Sequence, residues 1–162
     1  MQNEYLNQVP NNWPNNIKYI NYIENDQCLK NNSGILDGIE LKLINNTEHI
    51  LNGQYGIFAT RNFNVFDIIG VYTGSVIKSE YSDRYTARIN DNLSISANKC
   101  GNETRFINDY RNIADNCNCK LSYANINNIN MRIVIVTNPI KKNQELLLDY
   151  GEGYWNTWSK DI

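Results

Sequence analysis

The sequence predicts a β-dominated α+β fold of several short strands in small sheets with few short helices, and three observations carry that reading. Short runs rich in Ile, Val, Leu and Tyr recur along the chain, bounded by Asn, Asp, Gly or Pro. Helix candidates are confined to two brief stretches. No fixed-period repeat of the kind that builds propellers or solenoids is present.

Residues 1 to 16 are polar and carry Pro10 and Pro14, so they read as an arm attached loosely at most. From Ile17 to Ile23 the residues Ile17, Tyr19, Ile20, Tyr22 and Ile23 mostly recur at three and four, which suits a short amphipathic helix packed on the domain. A turn follows near Ser33-Gly34, and Ile39 to Ile44 then alternates as a strand does. Further strands are expected at Gly56 to Thr60, Ile68 to Ile77, Tyr85 to Ile89, Leu93 to Ala97, Lys120 to Tyr123, Met131 to Thr137 and Glu145 to Asp149. Turn signals separate them at Asn62 to Asn64, Asn90-Asp91-Asn92, Asn125 to Asn130 and Pro139 to Asn143. Gly101 to Asn108 is the second helix candidate. Residues 1–38 are thus expected to flank a domain at 39–155, with 156–162 as a tail.

At 162 residues the chain can bury one real core, and two independent cores are not expected. A hydrophobic share of 41% with 20% charged residues is that of an ordinary globular protein. No apolar run is long enough to cross a bilayer, and Met1-Gln2-Asn3-Glu4-Tyr5 does not open a secretion signal, so the expectation is an intracellular protein of nucleus or cytoplasm. Fifteen Lys plus Arg against seventeen Asp plus Glu give a net charge of -2 without a basic block, which disfavours direct nucleic-acid binding. A mildly acidic protein could attract a basic peptide.

Cys28, Cys100, Cys117 and Cys119 are too few and too unevenly placed for a disulfide framework, and reduced thiols are the plainer reading. With His49 they could supply four zinc ligands, but the paired spacing on both sides is missing, so no metal is expected. The many Asn pairs, such as Asn45-Asn46 and Asn127-Asn128, read as the coding bias of an AT-rich genome. Nothing in the sequence specifies an oligomeric state.

The residues that stand out lie mainly in the second half. Gly101-Asn102-Glu103-Thr104-Arg105-Phe106-Ile107-Asn108-Asp109-Tyr110 and Glu145-Leu146-Leu147-Leu148-Asp149-Tyr150-Gly151 mix large apolar side chains with Asn, Asp and Tyr. Neither an amphipathic helix nor an alternating strand requires that mixture. Before them come Gly53-Gln54-Tyr55-Gly56-Ile57-Phe58-Ala59, then Val71-Tyr72-Thr73-Gly74, then Tyr85-Thr86-Ala87-Arg88-Ile89 and Asn92-Leu93-Ser94-Ile95-Ser96-Ala97. In identity and order these elements resemble the SET-domain lysine methyltransferases, over about Ile39 to Trp155.

That resemblance implies a fold whose second-half motifs meet in a pseudoknot-like crossing, with cofactor and peptide on opposite faces joined by a narrow channel. The implied activity is methyl transfer from S-adenosyl-L-methionine to a protein lysine, for example on a basic segment such as a histone tail. A free lysine has a pKa near ~10.4 and must lose its proton before its lone pair can attack, so positioning and desolvation are the expected sources of rate. Tyr150 is implied at the transfer centre and Tyr72 along the lysine channel, as the catalytic pair. Tyr55, Gly56, Ile57, Tyr85, Asn108, Asp109 and Tyr154 are implied cofactor contacts. Leu148 and Trp155 are implied at the substrate, Trp155 closing the site.

The chain departs from the family in four places. Asp109 replaces a histidine, and Tyr110 to Asn118 replaces a shorter Ser-Cys-X-Pro-Asn sequel. Gln54 stands where the first glycine of Gly-X-Gly belongs, with Gly53 shifted by one. The cysteines of a zinc-binding tail are absent from the sequence. A SET-like module that binds a peptide without turnover is the alternative these departures suggest. Leu148 carries no hydroxyl to restrict added methyl groups, which predicts methylation beyond the first.

Overall fold

The computed structural model describes residues 9–21 and 35–158. Tyr22, Ile23, Cys28 and the Ser33-Gly34 turn lie outside those residues. The expected β-dominated architecture is present as small sheets. Strands β2 (Ile39–Leu43) and β3 (Tyr55–Ala59) form an antiparallel pair. Strands β5 (Ser75–Lys78), β6 (Thr86–Arg88) and β7 (Leu93–Ser96) form a sheet with β7 in the centre. A third sheet sets β10 (Cys119–Ile126) and β4 (Ile68–Val71) on either side of β11 (Ile129–Val136).

Alternation along β11 divides the interior into two cores. Met131 and Ile133 face one cluster with Tyr72, Ala87, Ile89, Ile95 and Ala97. Val134 and Val136 point the other way, into a cluster with Ile57, Phe63, Ile107, Leu146 and Leu148. A strand buried on both faces reads as a continuous apolar run, which is what Ile133 to Val136 shows. The β10–β11 hairpin closes through Asn127 and Asn128, with φ of 53° and 64°. Both are left-handed, as the right-handed twist of a tight hairpin favours, and Asn tolerates that conformation. The asparagine pairs thus have a structural use at this turn.

Several expectations are corrected. Lys18–Tyr19 is not helical but a strand, β1, paired in parallel with β8 (Cys100–Gly101). Lys18 N–H donates to Lys99 O and Ile20 N–H to Gly101 O, so the sheet satisfies amides that one or two turns of helix could satisfy only after a costly nucleation. Residues 9–16 are not a loose arm. Trp13 packs edge-on against Tyr19 and Phe106, with centroids 4.9 and 5.3 Å away, and its Nε1–H donates to Ile17 O at 2.7 Å.

The strand expected from Ile68 to Ile77 is broken at Tyr72-Thr73-Gly74 because its halves pair in different sheets. At Gly74 a side chain would run into the Ser96 carbonyl, which is why glycine sits at the crossing. Gly101 to Asn108 forms only one 3-10 turn, Glu103–Phe106, capped by Asn102 through Thr104 N–H. Ile107 is already extended, which frees Asn108–Asp109 to form strand β9. Of the strand expected at Glu145 to Asp149, only β12 (Leu147–Leu148) is regular. A helix, α1 (Glu152–Trp158), follows Gly151 at φ +82° and runs past residue 155, into the stretch expected to be a tail.

Candidate active site

The two stand-out segments are neighbours. Strand β9 pairs in parallel with β12, placing Asn108 beside Leu147 and Asp109 beside Leu148. Tyr110 N–H donates to Leu148 O at 2.9 Å on one side. On the other, Asn118 donates through its backbone to Leu147 O and through Nδ2 to Glu145 O, while its Oδ1 accepts from Leu147 N–H at 2.8 Å. The 145–148 segment is thus clasped between two parts of the preceding loop, as a pseudoknot-like crossing requires.

A cavity of about 320 Å³ opens where the two cores meet. Tyr72 and Ala87 come to it from one core, Ile107 and Leu148 from the other, and Tyr85, Tyr150 and Tyr154 complete its aromatic lining. A second, more open cleft of about 590 Å³ shares Thr86, Arg88, Tyr150 and Tyr154 with it.

Tyr150 donates its hydroxyl to Ile107 O at 2.7 Å and stacks edge-on against Tyr154, centroids 4.7 Å apart. Tyr72 is 7% exposed and donates to Tyr85 O at 2.8 Å. Burial pushes both phenols well above their ordinary value, because an apolar surround disfavours the phenolate. Both therefore stay protonated at neutral pH and act by hydrogen bonding, not as bases. Burial raises Tyr154 as well.

The departures from the family pattern have physical explanations. Asp109 Oδ2 accepts the backbone N–H of Tyr150 at 2.7 Å, and the carboxylate pairs with Arg111 Nη1 at 2.8 Å. Arg111 reaches on to Asp149 Oδ1 at 2.9 Å. The aspartate is therefore an anchor for the tyrosine backbone, and it shares the single positive charge of Arg111 with Asp149. At the turn before β3 the left-handed position is taken by Gly53, at φ +84°, while Gln54 is exposed. Gly56 has a separate purpose: a Cβ there would approach Glu145 Oε1 to 2.8 Å.

Five of the expected site residues, Tyr72, Tyr85, Leu148, Tyr150 and Tyr154, line the cavity. Tyr55, Gly56, Ile57, Asn108, Asp109 and Trp155 do not line it. Asn108 Nδ2 donates to Tyr55 O and to Glu145 Oε1, both at 3.0 Å. Ile57 is fully buried in the core, and its carbonyl accepts Leu146 N–H. Trp155 sits behind Tyr154, centroids 5.4 Å apart, with a buried Nε1–H that has no partner among the described residues.

Sequence reasoning passed over Arg105, whose guanidinium lies 4.2 Å from the Tyr85 ring and 4.5 Å from the Phe106 ring. Its Nε–H donates to Ala97 O at 2.8 Å, and burial lowers its pKa. An arginine in the middle of an apolar motif was the available signal. Glu145, His49 and Asn118 were also missed. His49 Nδ1 accepts Leu51 N–H, which leaves Nε2 to carry the proton toward Glu145 Oε2 at 2.9 Å.

Comparison with known proteins agrees with this geometry. The family model for the SET domain matches residues 54–151, and the chain belongs to that family. It is 30% identical over 111 residues to a protein of Plasmodium falciparum (isolate 3D7) named "Putative histone-lysine N-methyltransferase 1". The match covers 61% of this chain and 2% of that much longer protein. Among solved structures, a chain of the Chaetomium thermophilum polycomb repressive complex 2 superposes with a TM-score of 0.59 at 19% identity. That likeness covers 74% of this chain and 16% of the other, and is one of fold.

Proposed function

We propose that this protein is an S-adenosylmethionine-dependent protein-lysine N-methyltransferase. The observation that supports it best is the aromatic cavity with the Tyr150 hydroxyl held 2.7 Å from the Ile107 carbonyl, at the crossing of the two signature segments. The residues present suit the cofactor. Arg105 offers a buried guanidinium to a carboxylate, and Tyr85 and Tyr154 offer rings to a purine. When bound, S-adenosylmethionine supplies an electrophilic methyl group on a sulfonium.

The chain's own residues act on the lysine. The cavity strips water from the entering amine, which favours its neutral, nucleophilic form. Tyr150 and Tyr72, both protonated, orient the nitrogen lone pair through hydrogen bonds, and the Ile107 carbonyl beside Tyr150 is an acceptor for the remaining amine hydrogens. Leu148 borders the same space without a hydroxyl that could hold water, so exhaustive methylation is expected to pass the monomethyl stage. Mass spectrometry of the product that shows monomethyl-lysine alone would overturn this point.

The test of the function is calorimetry with S-adenosylmethionine followed by transfer of a labelled methyl group to core histones and whole-cell extract. Cofactor binding with label on protein lysine is expected. Binding without label would favour the module that does not turn over.

A further inference from the structure

The charges around the cavity differ from those of the chain as a whole. Arg84, Arg88, Arg105, Lys120 and Arg132 line it, against one carboxylate, Asp149. Asp149 shares Arg111 with Asp109, so the three groups together keep one negative charge. Arg105 is buried, whereas Arg88 and Lys120 are exposed and stand at the opening. One wall of that opening is β6, an edge strand, and the other is β10 with β11. Arg132 ties the walls together, donating to Arg88 O at 3.0 Å and Leu121 O at 2.6 Å. Both acceptors are neutral, so the charge of Arg132 is not cancelled. Arg88 meets Asp91 at 2.8 Å, but that aspartate is 96% exposed and the pair is strongly screened. The lining of the cavity itself is thus cationic on a protein whose net charge is -2, while the carboxylates Glu80, Asp83 and Asp91 belong to the adjoining cleft.

We infer that the segment entering this opening is acidic, with Asp or Glu flanking the acceptor lysine and facing Lys120, Arg88 and Arg132. The inference rests on the methyltransferase reading for the acceptor itself. A basic segment sets like charges against the rim, which lowers both affinity and encounter rate. An acidic segment neutralises the rim, while its lysine passes beyond it toward Tyr72 and Tyr150. The charge that an entering segment meets is the local one, not the net charge of the chain.

Fluorescence anisotropy with the full chain and three labelled peptides, each with a central lysine and acidic, uncharged or basic flanks, reads this without requiring turnover. Acidic flanks are expected to bind about tenfold more tightly than basic ones at 0.15 M salt, and the advantage is expected to shrink at 1 M, where the Debye length falls to about 3 Å. Lys120→Glu, at an exposed position, is expected to reduce the preference while thermal unfolding stays unchanged. Equal or tighter binding of the basic peptide, or binding of none of the three, overturns the inference. Methyl transfer to the bound peptides is scored separately. Acidic preference without transfer keeps the charge inference and sinks the enzyme, whereas fastest transfer to the basic peptide does the opposite.

Discussion

The polar flank around Asn108 and the cavity around Tyr150 are built from the same two segments, yet they treat their polar groups in opposite ways. In the flank, Asn108, Glu145, His49 and the Tyr55 carbonyl form a closed chain of hydrogen bonds that ends on Leu51 N–H. Around the cavity, Arg132 Nε and Trp155 Nε1 are buried without partners among the described residues, and a buried guanidinium rests on aromatic faces. A satisfied network holds its members in one arrangement, whereas orphaned donors are in need of a partner. If the flank positions and the cavity binds, as the proposed function requires, substitutions in each should separate stability from activity.

The largest effect is expected inside the cavity. Tyr150→Phe should slow labelled methyl transfer by about 100-fold or more while the unfolding midpoint moves little, since one hydroxyl and one hydrogen bond are lost. Equal rates for variant and wild type would remove Tyr150 from its role. On the supporting side, Asn118→Ala removes both side-chain bonds that clasp 145–147 and leaves buried backbone groups unanswered. Urea denaturation should show a loss of about 2–4 kcal/mol, with the remaining folded protein still binding cofactor.

Asp109 lies between the two regions and sharpens the comparison. Asp109→Ala should cost about 1–3 kcal/mol and reduce kcat more than it raises KM, because the backbone of Tyr150 loses its acceptor. Asp109→His, which installs the residue usual in the family, should also lower activity, since Arg111 then faces only Asp149. Recovery in the double variant Asp109→His with Arg111→Ser would show that the ion pair, not the aspartate alone, holds the site.

The smallest expected effect is a pH slope. Burial pushes the Cys119 thiol up to about 12, whereas an unfolded chain releases that proton near 9. Between those values the unfolded state binds fewer protons, so stability falls as pH rises. Tyr72 and Tyr150 act in the same direction. Cys119→Val should flatten the slope in denaturation curves taken from pH 9 to 11, and an unchanged slope would contradict the assignment.

Much of the architecture was legible because strands of alternating or continuous apolar residues announce themselves locally. The hairpin at Asn127-Asn128 and the strands at Ile39–Leu43 and Leu93–Ser96 lie close to where pattern and turn chemistry put them. Lys18–Tyr19 misled because its spacing fits a helix, and its partner, Cys100–Gly101, is some eighty residues away in the chain. The helix at Glu152–Trp158 has no buried stripe to mark it. In the site, the tyrosines could be named from their motifs, while Glu145, His49 and Asn118 could not, since each acts through a residue distant in sequence.

By itself the amino-acid sequence determined the family, the β-dominated class and the identity of the central tyrosines, because short-range patterns and a specific order of motifs encode them. Tertiary structure alone decided what Asp109 contacts and which charges gather at the cavity opening. Asp109 is held in place because Arg111 and the Tyr150 amide converge on it. The opening is cationic because β6, β10 and β11 gather Arg88, Lys120 and Arg132 on one rim. Coulomb interactions fall with distance in space, and a net charge summed along the chain contains no distances.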